Sequence, residues 1–277
     1  MATQAEKAKA FQDLHQRAGA FIIPNPWDAG TAQILASLGF EALATTSFGV
    51  ANVLGRRDGT GAVTSDDILE NCRVIDAATA LPVSADLENC FADEPRAAAE
   101  MIRHAADAGM VGGSIEDFTG DHNAPVYDFD HAVERVQAAV EVARALPFPF
   151  MLTARSENLL HGRDDLDDTI RRLQAFEAVG ADVLYAPGLK DLETIRTVTS
   201  VVNKPVNVVM GLADPALTAD QLADAGVRRI SVGGALSRIA LAAVLKAARE
   251  MRLEGRFTFV RDMASVRELR DMFQHPK

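Results

Sequence analysis

Four times along this chain a helical stretch stops at a glycine and an apolar run begins at once: "LASLGFEALATTS", "AADAGMVGGSIED", "FEAVGADVLYAPG" and "LADAGVRRISVGG". Gly39, Gly109, Gly180 and Gly226 each suit the left-handed position that closes a helix, where a Cβ is penalised. Each stretch therefore reads as a helix-to-strand junction. Between them lie "FIIP" at 21, "PVSADLE" at 82, "FMLTAR" at 150 and "PVNVVMG" at 205, which brings the predicted strands to eight. Helix starts are legible too. "TSDD" at 64 offers caps and early acids, Pro95 sits where a first turn needs no N–H, and "DFDHAVERVQAAVEVARAL" opens on an aspartate. Alternating units of about 30 residues predict an α/β fold, a (β/α)8 TIM barrel. An open doubly wound sheet is the competitor that periodicity alone does not exclude.

No Pro/Gly/Ser-rich linker divides the 277 residues, so a single domain over 1–277 is expected, with the barrel at about 20–250 and a C-terminal helical extension at 255–277. In that tail Met263, Val266, Leu269 and Met272/Phe273 fall on one side of a helix. Such a stripe needs a partner, either this barrel or a neighbouring subunit.

Composition narrows the function classes. A formal charge of −11 argues against nucleic acid or an anionic membrane as partner, because phosphate binding relies on clustered Lys and Arg. A small anionic substrate is still compatible, since one local arginine can override the global sign. With only Cys72 and Cys90, neither a disulfide framework nor a thiolate metal cluster is expected, and a reducing compartment fits. The first twenty residues look like an amphipathic helix without a signal peptide's apolar core, and no apolar run approaches membrane-spanning length, so a cytoplasmic location is expected.

Strands of a parallel barrel are buried on both faces and should read as nearly continuous apolar runs. Several here do not. Side-chain alternation puts Ser84, Asp86 and Glu88 on one face, with Val83, Ala85 and Leu87 on the other. The same rhythm gives Thr45 and Ser47, Ser114 and Glu116, and Thr153 and Arg155. The ionisable residue comes last on its strand, where barrel enzymes build their sites. Asp86, Glu88 and Glu116 converging there could not all stay ionised without a cation. All-oxygen ligation points to Mg2+, with Mn2+ as an alternative. Arg155 would then offer a positive fork to a carboxylate or phosphoryl group.

Blander readings stand beside these. An acid after a strand also serves as the N-cap of the next helix. Arg155 also suits an ion pair with Glu116 or Glu157, and Asp58 before a glycine is by itself a turn residue. "SVGGALSR" at 231 carries only a weak likeness to a phosphate-cradling loop. His122, His131 and His161 have no metal-like spacing and read as surface residues, and Cys90 reads as a small packing residue.

The segments "NPWDAGTAQILASLGFEALATTSFGVANVLGRRDG", "PVSADLEN", "GMVGGSIED" and "TARSEN", in order over about 20–235, resemble the isocitrate lyase and phosphoenolpyruvate mutase superfamily. The resemblance implies a (β/α)8 barrel, a homotetramer built as a dimer of dimers that exchange the C-terminal helix, and Mg2+ holding a small 2-oxo acid. It further implies that Asp86 touches the metal, that Glu88, Glu116 and Asp58 hold its waters, that amides at Thr46, Ser47 and Phe48 take the substrate carboxylate, and that Arg155 and Asn207 grip further oxygens. The chemistry implied is cleavage or formation of the bond beside the 2-oxo group, through an enolpyruvate-type intermediate. Isocitrate and methylisocitrate lyases carry a catalytic cysteine in the loop after the fourth strand. Here that loop is "DFTGDHNAPVYDFD", without cysteine or lysine, and Pro187 and Gly188 stand where those lyases have a glutamate. The expected reaction is therefore that of a carbon–carbon lyase, decarboxylase or hydrolase. A phosphonomutase, with Asn123 as its loop asparagine, is the nearest rival. A non-catalytic 2-oxo acid or metal-binding barrel is the alternative of another class. The loop at 117–130 is expected to close over substrate.

Overall fold

The computed structural model describes residues 2–273. Eight parallel strands form one sheet: β1 (Phe21–Ile23), β2 (Leu43–Ala44), β3 (Val83–Ala85), β4 (Gly112–Glu116), β5 (Met151–Arg155), β6 (Val183–Tyr185), β7 (Val206–Val209) and β8 (Arg229–Ser231). From β2 to β8 each strand pairs with its sequence neighbour, and β1 pairs with β8. The Ala44 N–H donates to Pro24 O at 3.1 Å, drawing β2 onto the end of β1 and nearly closing a (β/α)8 TIM barrel. All eight predicted strands are present, and the doubly wound alternative falls because β1 and β8 are neighbours.

The helices that wrap the barrel are α2 (Ala29–Ser37), α3 (Ser47–Leu54), α4 (Ser65–Ala78), α5 (Pro95–Asp107), α6 (Phe129–Ala145), α7 (Leu166–Ala178), α8 (Leu192–Ser200) and α9 (Ala219–Asp224). The expected caps form: Thr64 closes a capping box with Asp67, and Pro95 occupies the first turn of α5. Gly39, Gly109, Gly180 and Gly226 all have positive φ, as helix closure requires. Val83, Leu87, Ile115, Leu152, Ala154 and Leu184 belong to the apolar layer between strands and helices.

Helix α1 (Gln4–Gln16) plugs the bottom of the barrel. Its Ala8 and Phe11 pack with Phe21, Val111, Met151 and Val183, residues at or just before the starts of strands. Close packing there explains Gly112, whose added Cβ would lie 2.8 Å from Phe11 Cε1.

The C-terminal part is α10 (Ala235–Glu254), a 3-10 turn (Thr258–Asp262) and α11 (Val266–Met272). Helix α11 lies against α2 of the same chain, with Leu269 and Met272 partly covered. The larger uncovered apolar surface is on α10, where Ile239, Val244 and Leu253 are 66%, 62% and 77% exposed. The tail stripe expected over Met263–Phe273 is thus joined by a longer one upstream. Among the described residues no helix is long and apolar enough to cross a membrane.

Candidate active site

At the C-terminal ends of the strands a cavity of about 350 Å³ opens, lined by Asp58, Asp86, Glu88, Glu116, Arg155 and Glu157 among others. Two of these come from adjacent strands in register, since Glu116 of β4 faces Arg155 of β5. Arg155 Nη2 lies 3.0 Å from Glu116 Oε2 and Nη1 lies 2.9 Å from Asp86 Oδ1. Its Nε donates to Glu157 Oε1 at 2.8 Å, and its Cζ stands 5.0 Å over the Tyr185 ring. The guanidinium is thus shared among three carboxylates, and the ion pair weighed as the alternative forms with both Glu116 and Glu157. Those charges hold Arg155 firmly protonated despite its burial.

Asp86 sits one residue past β3, with its backbone N–H taken by Thr45 Oγ1 at 2.8 Å. Its Oδ2 accepts from both the amide (3.0 Å) and the hydroxyl (3.1 Å) of Ser47 at the start of α3. Thr46 caps that helix and joins Ser47 and Phe48 in the cavity wall. The Ser47 amide is therefore already engaged by Asp86, while the Phe48 amide has no protein partner among the described residues.

Glu88 reaches the mouth by a different route from the one alternation suggests. The strand ends at Ala85, and Glu88, Cys90 and Phe91 all take left-handed backbone angles, with φ of 50°, 59° and 57°. Three such non-glycine residues in one turn mark a strained, over-determined segment. It is pinned from outside by buried Arg135, whose Nη1 donates to Asp93 O at 2.8 Å, and by Glu116 N–H donating to Glu88 O at 3.1 Å. Cys90 is buried with its Sγ 3.8 Å from Ser114 O, a packing residue at a glycine-like position.

The acids perturb one another. Burial, then the charges of Asp86 and Asp58, push Glu88 up to about 7. Burial, against the pull of Arg155, holds Glu116 well above the ordinary carboxylate range. Asp58, on the exposed loop after α3, is raised by partial desolvation and by Asp86. Such a set invites a hard cation, which would relieve the repulsion and restore the ionised forms. Among the described residues no three His, Cys, Asp or Glu groups stand ready to enclose an ion directly.

Two expected site residues are not among those lining this cavity. Asn207 is buried inside the barrel, donating to Ser231 Oγ at 3.0 Å and accepting from Arg229 Nε at 2.9 Å. It lines a small polar cavity of about 70 Å³ beneath the mouth, which shares Asp86, Arg155 and Tyr185 with it. Asn123 is exposed in the loop after β4, its amide donating to Asp121 Oδ1 at 3.0 Å, and does not line the mouth. Conversely His161, expected at the surface, is a lining residue, as are Tyr185, Pro187 and Arg238. Nothing in sequence spacing marks His161; it follows "TARSEN" on the loop that leaves β5.

Comparison with known proteins agrees with this geometry. Residues 11–252 match the family model described as phosphoenolpyruvate phosphomutase. A solved structure from Burkholderia cenocepacia J2315, described only at the level of lyase/mutase, is 58% identical with a TM-score of 0.95, covering 99% of this chain and 98% of that one. An oxaloacetate decarboxylase from Bradyrhizobium diazoefficiens is 31% identical over 235 residues, 81% of this chain and 78% of the relative. A 2-methylisocitrate lyase from Escherichia coli K12 is 29% identical over 228 residues, 79% of this chain and 75% of the relative. A barrel mouth of carboxylates around one arginine, matched over this length, places the chain in the phosphoenolpyruvate phosphomutase family, as an enzyme of the isocitrate lyase/PEP mutase superfamily.

Proposed function

We propose that this enzyme is Mg2+-dependent and acts on a small 2-oxo acid through an enolpyruvate-type intermediate, as a carbon–carbon lyase, decarboxylase or hydrolase. The observation that carries the reading is the meeting of Asp58, Asp86, Glu88 and Glu116 with Arg155 at one barrel mouth. Asp86 would hold the cation, with Glu88, Glu116 and Asp58 reaching its waters. When bound, the ion supplies positive charge beside the oxygens on which an enolate's charge collects. Arg155 and the amides at Thr46 and Phe48 would bind and orient the substrate carboxylate, with the Ser47 amide held by Asp86, and Phe118, Leu160 and Leu212 help exclude water from the cavity. The likeness to an oxaloacetate decarboxylase supports a 2-oxo acid substrate.

The absence of cysteine and lysine from 117–130 disfavours the methylisocitrate lyase reaction, although a methylisocitrate lyase is among the relatives. A phosphonomutase is the second reading, supported by the family model; the exposed position of Asn123 weighs against that residue as its catalytic group. The apolar surface of α10 supports a homo-oligomer, a dimer of dimers with C-terminal helix exchange.

The test is a substrate panel of oxaloacetate, phosphonopyruvate, phosphoenolpyruvate and methylisocitrate, with Mg2+ and with EDTA. Metal-dependent turnover of a 2-oxo acid is expected. Turnover of methylisocitrate at comparable rates would overturn the loop argument, and turnover that survives EDTA would overturn the metal.

A further inference from the structure

The cavity wall contains carboxylates, two arginines, a buried tyrosine and one imidazole, His161. The carboxylates are committed to Arg155 and to a cation, and Tyr185 is raised far from neutrality by burial. That leaves His161 as the lining group whose ordinary titration lies nearest neutral pH. Its placement is built. The ring stacks on Phe118 with centroids 4.0 Å apart and planes 6° from parallel. Nε2 lies 3.7 Å from Glu157 Oε2, while Glu157 Oε1 accepts from Arg155 Nε at 2.8 Å. One carboxylate thus hydrogen-bonds the guanidinium and lies within ion-pair range of the imidazole, and the His161 side chain retains 16% exposure. A base held by an aromatic face, beside a carboxylate and partly open to the cavity, suits a proton-transfer group.

Resting on the 2-oxo acid reading above, we propose that His161 is the catalytic acid/base of this enzyme, serving where the lyases use a loop cysteine. In the cleavage direction the carbon–carbon bond at C3, the carbon next to the 2-oxo group, breaks; the departing group leaves without the bonding pair, as CO2 does in a decarboxylation, and that pair passes into the enolate of the remaining 2-oxo acid. The imidazolium N–H then gives its proton to the enolate carbon, a C–H bond forms, and neutral imidazole is left to recover a proton from water at the mouth. In the reverse direction neutral His161 removes that proton.

The charged groups facing the ring are Glu157, whose carboxylate favours the imidazolium, and Arg155 and His122, whose ring centroid is 6.0 Å away; these two, with burial, favour the neutral form. Burial is the largest of these effects, so free His161 titrates below its ordinary value. A bound dianion facing the ring should reverse this.

The test follows imidazole resonances by NMR, with His161 assigned from the His161→Gln difference, before and after adding Mg2+ and oxalate, a stable enolate analogue. Binding itself is followed by calorimetry. A rise of His161 by about one pH unit or more on oxalate binding supports the proposal. Oxalate binding with no movement of His161 overturns the proton-transfer role alone, and failure of Mg2+ and oxalate to bind overturns the reading of the site and the proposal with it. On the substrate that the native enzyme turns over, His161→Phe preserves the stack on Phe118 but carries no proton. A fall in kcat of roughly 10²–10⁴-fold with KM little changed, and loss of the corresponding limb of the pH profile, is expected. Native kcat in His161→Phe would mean that the residue only packs.

Discussion

Arg155 Nη1 donates to Asp86 Oδ1 at 2.9 Å, although 69 residues separate the two along the chain. The bond ties the end of β5 to the turn after β3 and holds the candidate metal carboxylate against the group that would receive substrate.

Removing this arginine should therefore cost both stability and binding. Arg155→Met leaves Glu116 and Glu157 buried without their countercharge, a loss of about 3–5 kcal/mol where a buried pair is broken. Both carboxyls already sit above their ordinary range because of burial. They can escape by protonation, so the penalty should be smaller at pH 5 than at pH 8. Urea denaturation at the two pH values checks this, and a penalty independent of pH would speak against the ion-pair account. Arg155→Lys should restore little, because a point charge cannot serve three carboxylates in the fork geometry.

Asp58 separates function from stability. It is exposed on the loop after α3 and forms no ion pair among the described residues. Asp58→Ala should leave the denaturation midpoint within about 0.5 kcal/mol of native, as for surface sites generally. Turnover should fall by at least tenfold; an unchanged rate would remove Asp58 from the site.

The floor of the barrel carries a pH response of its own. His15 of α1 is buried between Phe11 and Phe21, with its Nδ1 2.8 Å from Phe11 O and its Nε2 without a partner. Burial, aided by the charge of Arg229, lowers it from 6.5 to about 3. The folded state therefore favours neutral imidazole, so its contribution is complete above about pH 6.5 and lost as pH falls toward about 3. One proton over that window corresponds to roughly 1.4 kcal/mol per pH unit. His15→Leu should flatten this part of the stability profile between pH 6 and 4; an unchanged slope would assign acid sensitivity to other groups.

Cys90 and Cys72 should respond unequally to glycine. Cys90 holds φ of 59°, a conformation that costs a non-glycine residue roughly 1 kcal/mol or more, so relief of strain offsets the lost thiol packing. Cys90→Gly is expected within about 1 kcal/mol of native. Cys72 lies inside α4 and fully buried. Its replacement loses packing and adds roughly 1 kcal/mol of helix penalty. Equal costs in urea denaturation would refute the backbone argument.

The loop after β4 is closed at its base by a Phe118–Val126 bridge, while Asp121, His122 and Asn123 at its tip are exposed. Mg2+ with oxalate should slow cleavage at Asp121 by an aspartate-directed protease several-fold, as a loop closing over ligand would. Cleavage unaffected by the pair would remove the lid.

The legible part of this protein is the part written in local periodicity. Gly39, Gly109, Gly180 and Gly226 announced their junctions because a left-handed helix end depends only on the residue there. Asp86, Glu116 and Arg155 stood out because an ionisable side chain at the end of an apolar strand conflicts with burial. Asn207 obeyed the same alternation yet landed a layer below the mouth, since periodicity gives a side chain's face but not its depth.

Other features depended on distances that no local pattern encodes. Glu88 enters through a left-handed turn held by Arg135, a residue of α6. His161 enters the cavity because Phe118 and Glu157, from two different strand ends, receive its ring. The sequence by itself determined the strands, the helices and which polar residues sit at strand ends, because propensity and burial act over a few residues. Only the tertiary structure decided which of them meet around one cavity, because the closing of β1 onto β8 and the packing of loops set distances between groups far apart in the chain.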